Sequence, residues 1–194
     1  MVGTLGSSDE DAGDSVAYTL SGTHASYFEV VNGQIKLKDG TSANYEANWT
    51  LNVTVTATDS GGLTANQNFS ISVADVNDVP TAIQLSTNSL QSGETGATVG
   101  TLTTSDEDSG ESFSYSVNDQ RFEIVNGLLQ LKAGQSIDYN NEATVTLEIT
   151  VTDSQGAPYT ETLTIRVGDI QLNTYSFNEN ASGVSVGDIT VVGL

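Results

Sequence analysis

The residues that could do chemistry in this chain carry oxygen and are gathered in short turns. Asp75, Asn77 and Asp78 fall within four positions, Asp106, Glu107 and Asp108 are consecutive, and Asp59 and Asp153 each open an Asp-Ser-x-Gly turn. Across the chain 25 acidic residues face five basic ones, a formal charge of -20. Such a balance repels nucleic acid and anionic membranes, because a phosphate backbone exchanges its counterions for Lys and Arg. What remains is simple solubility or a sink for divalent cations. Calcium is the natural guest, since it takes about six to eight hard oxygen ligands from carboxylates, amides and backbone carbonyls.

Other chemistries find little support. His24 is the only histidine and cysteine is absent, so there are no disulfides or thiolate metal sites, and neither a Ser-His-Asp triad nor a multi-histidine zinc site can be assembled. His24 reads as a loop residue. Paired carboxylates can hydrolyse glycosides, but these sit in acidic turns that favour ionisation, not in a pocket that raises a pKa. The chain reads as a non-enzyme. No run of about 18 apolar residues could span a bilayer, and the N-terminus lacks the basic and apolar regions of a signal peptide.

The elements that must hold these turns are strands. Trp49, Leu51, Val53, Val55 and Ala57 alternate with polar residues, as do Phe69, Ile71 and Val73. Val145, Leu147, Ile149 and Val151, then Leu163, Ile165 and Val167, repeat the pattern. Period two marks half-buried antiparallel strands with one face on a core, which predicts core packing for Trp49. Asn32-Gly33 and Asn126-Gly127 lie between β-prone runs, the signal of a type I′ hairpin. No helical stripe of useful length appears.

The chain also repeats itself. Val2-Gly3-Thr4-Leu5 returns as Val99-Gly100-Thr101-Leu102, and Asp9-Glu10-Asp11 as Asp106-Glu107-Asp108, both 97 residues on. Phe28-Glu29 returns as Phe122-Glu123 and Thr58-Asp59-Ser60 as Thr152-Asp153-Ser154, now 94 residues on. The first copy therefore carries three extra residues, placed within Ser21 to Tyr27. Ser176-Phe177 matches Ser89-Leu90, and Val186-Gly187-Asp188-Ile189 matches the Val-Gly-Thr-Leu strand. The alignment predicts a repeat over 1–77 that lacks its first strand, a complete repeat over 78–169, and the opening strands of a third over 170–194. The fold class expected is all-β, as tandem Greek-key β-sandwiches of immunoglobulin-like architecture.

Asp75-Val76-Asn77-Asp78-Val79-Pro80 resembles the linker between cadherin repeats. Asn44-Tyr45-Glu46 and Asp138-Tyr139-Asn140 resemble that family's D-x-E element, Asp106-Glu107-Asp108 its D-x-D, and the Asp59 and Asp153 turns its D-x-G loop. The likeness covers nearly the whole chain and is closest to the cadherin-like repeats of large bacterial surface adhesins. It implies calcium as cofactor, held by Glu46, Asp75, Asn77 and Asp78 of one repeat with Asp106, Asp108 and Asp153 of the next. Several departures matter: Asn44 stands for the usual Asp, Val79 for a second Asn, and Ser92 for a glutamate near the start of the repeat. Asp138, Asp169 and Glu179 would serve a following junction, where Ile170-Gln171-Leu172 replaces the Asn-Asp linker. Asp9, Asp11 and Asp59 would serve a preceding one.

The function this implies is that of a calcium-binding, calcium-rigidified spacer in a cell-surface adhesin, located outside the cell. The alternative is a carbohydrate-binding or homophilic adhesion module. The partners implied are calcium ions, then polysaccharide or another copy of the chain through strand exchange, with no nucleic acid and no membrane insertion.

Overall fold

The computed structural model describes residues 2–8, 15–172 and 189–192. Asp9, Asp11, Ser176, Phe177, Glu179 and Val186 to Asp188 lie outside the described residues. The chain divides into two compact units, Met1–Val76 and Asn77–Leu194. Among the described residues every regular element beyond one turn of 3-10 helix is a strand. Among the described residues no helix is long and apolar enough to cross a membrane.

The first unit holds β1 (Gly3–Thr4), β2 (Ala17–Ser21), β3 (Phe28–Val31), β4 (Gln34–Leu37), β5 (Thr50–Thr58) and β6 (Thr64–Ser72). They form two sheets, β1-β4-β3 and β2-β5-β6. Leu51 and Val53 point inward from β5 and meet Phe28 and Ile35 in a small core, as period-two patterning requires. On the outer face the same strands pair by side-chain hydrogen bonds, Thr54 to Asn68 at 2.7 Å and Thr56 to Asn66 at 2.6 Å.

The second unit adds β7 (Ala82–Leu85), β8 (Ser89–Gln91), β9 (Thr98–Ser105), β10 (Ser114–Val117), β11 (Phe122–Val125), β12 (Leu128–Leu131), β13 (Thr144–Thr152), β14 (Pro158–Leu172) and β15 (Ile189–Val192). One sheet runs β11-β12-β9-β7; the other runs β10-β13-β14-β15, with β8 parallel to β14. Its core is far larger and includes Phe122, Leu129, Leu147, Ile149, Ile165 and Val167, all essentially sealed from solvent.

Equivalent positions keep equivalent pairings. Gly3 pairs with Ile35 in the first unit as Gly100 pairs with Leu129 in the second. Asn32 and Gly33 both have positive φ, 51° and 69°, and Asn126 and Gly127 repeat this at 51° and 77°. Both central residues of each hairpin are thus left-handed, as a type I′ turn demands. The three extra residues of the first copy are taken up by the 3-10 turn Ala25–Tyr27. His24 opens it: its N–H donates to the Asn52 carbonyl at 3.2 Å and its Nδ1 accepts the Asn52 N–H at 2.8 Å. In the shorter loop of the second unit Asn118 does the same work on Glu148, at 3.1 and 3.0 Å.

Two expected core residues are not core. Trp49 is 71% exposed and Phe69 42%. The pairing of β5 with β6 ends at Thr50 and Ser72, so Trp49 lies beyond the last strand pair, where inward parity no longer brings a facing sheet. Phe69 sits on β6, which among the described residues pairs only with β5, whereas β14 is flanked by β13 and β8.

Candidate metal centre

The second unit brings five of the seven expected ligands together. Pro80, fully buried, fixes the start of the unit, and the Thr81 N–H donates to the Ser105 carbonyl at 2.8 Å. This ties the Asn77-Asp78 segment to the loop that follows β9. The Asp78 N–H then donates to Asp108 Oδ2 at 2.8 Å, and the Asp108 N–H donates to Asp106 Oδ1 at 3.0 Å. The third contributor is the turn between β13 and β14. Asn77 Nδ2 donates to Asp153 Oδ2 at 2.9 Å and to its neighbour's carbonyl, that of Asp78, at 2.8 Å.

Asp153 is only 6% exposed, and its turn explains how a carboxylate tolerates this. Oδ1 accepts the N–H groups of Gln155 at 2.9 Å and Ala157 at 2.8 Å. The Asn77 amide and then these backbone donors, against the opposing effect of burial, hold its carboxyl below the usual range; hydrogen bonds to the charged form favour it. Glu111 steadies the loop from outside, with Oε2 accepting both the N–H and the hydroxyl of Ser154 at 2.9 and 2.7 Å. Those two bonds hold the Glu111 carboxyl low as well.

Two buried oxygens in this group have no hydrogen-bond partner: Asn77 Oδ1 and Asp106 Oδ2. Polar atoms withdrawn from water are normally paired, because leaving one unpaired costs about 1–3 kcal/mol. Both are hard oxygens, and Asn77 has committed its N–H donors elsewhere, so the group offers acceptors only. That is the donor chemistry a calcium ion requires, and the residues fit such an ion.

Glu46 and Asp75, the other two expected ligands, belong to the first unit, and both are exposed. Glu46 sits on the turn after Asn44, whose Oδ1 accepts the Ala47 N–H at 2.7 Å. Asp75 follows β6. The expected set for a following junction is placed differently. Asp138 spends both carboxylate oxygens locally, on the Asn140 N–H at 2.9 Å and the Asn141 amide at 2.9 Å. Ser92, at the glutamate position, accepts the Tyr139 N–H at 3.0 Å and thereby serves the fold.

The sequence reading passed over one segment. Asp169-Ile170-Gln171-Leu172 matches Ala82-Ile83-Gln84-Leu85, and the match runs on through Thr174 and Ser176. The pairing agrees: Leu172 pairs with Ile189 and Asp169 with Val192, as Leu85 pairs with Leu102 and Ala82 with Ser105. Both partners are displaced by the same 87 positions. The signal was Ile-Gln-Leu itself, hidden because the stretch was compared with a linker instead of a strand.

No protein-family model matches the chain. Among solved structures it is similar to PcdhgB3 EC1-4, at 22% identity and TM-score 0.63, over 79% of this chain and 40% of that one. It is similar also to human protocadherin-24 EC1-2, at 25% identity and TM-score 0.61, over 82% and 84%. A third is Drosophila N-cadherin EC1-4, at 26% identity and TM-score 0.60, over 80% and 41%. The fold is cadherin-like. The chain spans about two fifths of the PcdhgB3 and N-cadherin structures, so it shares their repeat and not their full extent. The three contributors to the acidic group belong to the second unit.

Proposed function

We propose that the chain is a segment of an extracellular cadherin-like array, with repeats over 1–77 and 78–169 and the opening of a third over 170–194. In this reading it is a calcium-rigidified spacer of a cell-surface adhesin. Asn77, Asp78, Asp106, Asp108 and Asp153 hold the cation, and Glu46 and Asp75 complete the ligand set as the resemblance implies. The observation that carries the proposal is the pair of buried, unpartnered oxygens at Asn77 and Asp106 beside the buried Asp153 carboxylate. Clustered carboxylates repel one another, and a divalent cation supplies the charge that relieves this. The chain's part is to present acceptors on rigid turns.

A thermal melt across calcium concentrations tests it, from chelator to about 10 mM, bracketing the ~0.1–1 mM affinities of extracellular modules. A cation bound only by the folded state adds about 2.7 kcal/mol when its concentration reaches a hundred times Kd. The expected result is a melting temperature that climbs with calcium, with a smaller climb for Asp106→Ala. A flat response in the unaltered chain sinks the proposal. The exposure of Trp49 favours one other reading, carbohydrate binding, which requires glycan capture that Trp49→Ala abolishes and calcium leaves unchanged.

A further inference from the structure

We propose that Glu111 is a positioning residue of the cation group in the second unit: it is not one of the ligands, but it holds the Asp153 turn in the attitude that presents its carboxylate. This rests on the cation reading of that group. The turn between β13 and β14 needs such a hold. Asp153 is buried, while Ser154, Gln155 and Gly156 after it are exposed. Asp153 Oδ1 is taken up by the Gln155 and Ala157 N–H groups, so carboxylate and turn move as one piece. Oδ2 is left to meet Asn77, at 2.9 Å. Where Oδ2 points is therefore decided by how the turn is set on its two strands.

Glu111 supplies that setting. The register of β10 on β13 ends with Ser114 opposite Thr152, and the Ser114 hydroxyl donates to the Thr152 carbonyl at 3.4 Å. Beyond this pair the two chains run on as Phe113 to Glu111 and as Asp153 to Ser154, which brings Glu111 beside Ser154. Its Oε2 accepts both the N–H and the hydroxyl of Ser154, at 2.9 and 2.7 Å. Bonds to an ionised acceptor are shorter and roughly twice as strong as neutral ones. An oxygen that already holds two donors serves the turn, which separates Glu111 from the ligands.

The loop that carries Glu111 also carries Asp106 and Asp108. Gly110, at φ 81°, turns it in a left-handed step that glycine takes without strain, and Glu111 follows. The loop thus reaches the Asp153 turn by two routes. One runs through the ligands themselves, from Asp108 to the Asp78 N–H and from Asn77 to Asp153. The other runs from Glu111 to Ser154 and uses none of them. Only the second can keep Asp106 and Asp153 in register while the ligands turn their oxygens to a cation. A further carboxylate beside Asp153 adds to the crowding of like charge and also attracts a cation from a distance, so the test separates charge from position.

The test is calorimetric titration of the whole chain with calcium chloride, beside amide hydrogen exchange in chelator, for Glu111→Ala, Glu111→Gln and Ser154→Ala. Glu111→Ala should weaken calcium binding about tenfold, the lower end of what losing a ligand's supporting partner costs. It should also speed exchange at the Gln155 and Ala157 amides. Glu111→Gln keeps an acceptor oxygen for Ser154 while removing the charge, so it should bind calcium close to the level of the unaltered chain. Combining Ser154→Ala with Glu111→Ala should weaken binding by less than the two losses added together, as partners in one contact do. Equal weakening by Glu111→Gln and Glu111→Ala would mean attraction by charge and overturns the positioning role. So does calcium affinity or amide exchange that Glu111→Ala leaves unchanged. No calcium uptake by the unaltered chain overturns the cation reading itself, and this inference with it.

Discussion

Leu5, Ile71 and Val73 of the first unit occupy the same repeat positions as Leu102, Ile165 and Val167 of the second, yet only the second set is buried. The residues are equally apolar. What differs is the strand that covers them, which β7 and β8 supply in one unit and nothing supplies among the described residues of the other. Burial is thus a property of the neighbour as much as of the residue. Among the described residues the first unit keeps the pairing registers of the second while burying fewer apolar side chains.

The largest expected effect tests this contrast directly. Leu147 is fully buried, and Leu147→Ala should cost about 2–5 kcal/mol, as core truncations that leave a cavity do. Phe69→Ala, at an exposed position of the first unit, should cost within about 0.5 kcal/mol of nothing. Denaturant melts at low protein concentration measure both. Comparable costs would mean that the Phe69 face is covered in solution and would break the comparison.

The two Asp-Ser-x-Gly turns make the next comparison, of intermediate size. Asp59 Oδ1 accepts the Leu63 N–H at 2.8 Å, just as Asp153 Oδ1 accepts the Ala157 N–H, but only Asp153 is buried and only Asp153 takes Asn77 as a third donor. In chelator, Asp153→Ala should cost about 1–3 kcal/mol through the donors left unpaired. Asp59→Ala should cost no more than about 1 kcal/mol, the value of one partly solvated hydrogen bond. Equal losses would show that the Asp153 loop does no more than close a turn.

These contrasts also mark what could be read from residues alone. The repeat offsets, the two type I′ turns and the three-residue insertion within Ser21 to Tyr27 follow local rules: period, turn chemistry and spacing; the grouping of Asn77, Asp78, Asp106, Asp108 and Asp153 was an implication of the cadherin resemblance. Which Asp is buried was not legible, because it depends on Asn77, 76 residues away from Asp153. The exposure of Trp49 had a signal that alternation overrode. Its counterpart in the second repeat is Ala143, and a core position does not exchange the largest side chain for one of the smallest without refilling the volume. The open face of the first unit needed the second unit's β7 and β8 as its measure.

The smallest expected effect separates the units by charge. Arg121 joins Asp119 at 2.7 Å and Glu142 at 2.6 Å in the second unit. The guanidinium, ahead of the opposing effect of burial, holds the Asp119 carboxyl below its usual range. A lowered carboxylate contributes stability that is present above its unfolded pKa and lost as pH falls through the folded value. In the first unit Glu29, then Asp39, raises Lys36, so its contribution is complete below the unfolded pKa and lost as pH rises through the folded one. Acid should therefore weaken the second unit and alkali the first. Partly exposed pairs are worth under about 1 kcal/mol, so Arg121→Met should make the acid limb of a chelated chain only slightly shallower in a pH series of calorimetric melts, the lowered Asp153 and Glu111 carboxyls sustaining the rest. An acid limb unchanged by Arg121→Met would assign the loss to the clustered aspartates instead, and the charge contrast between the units would then rest on the metal group alone.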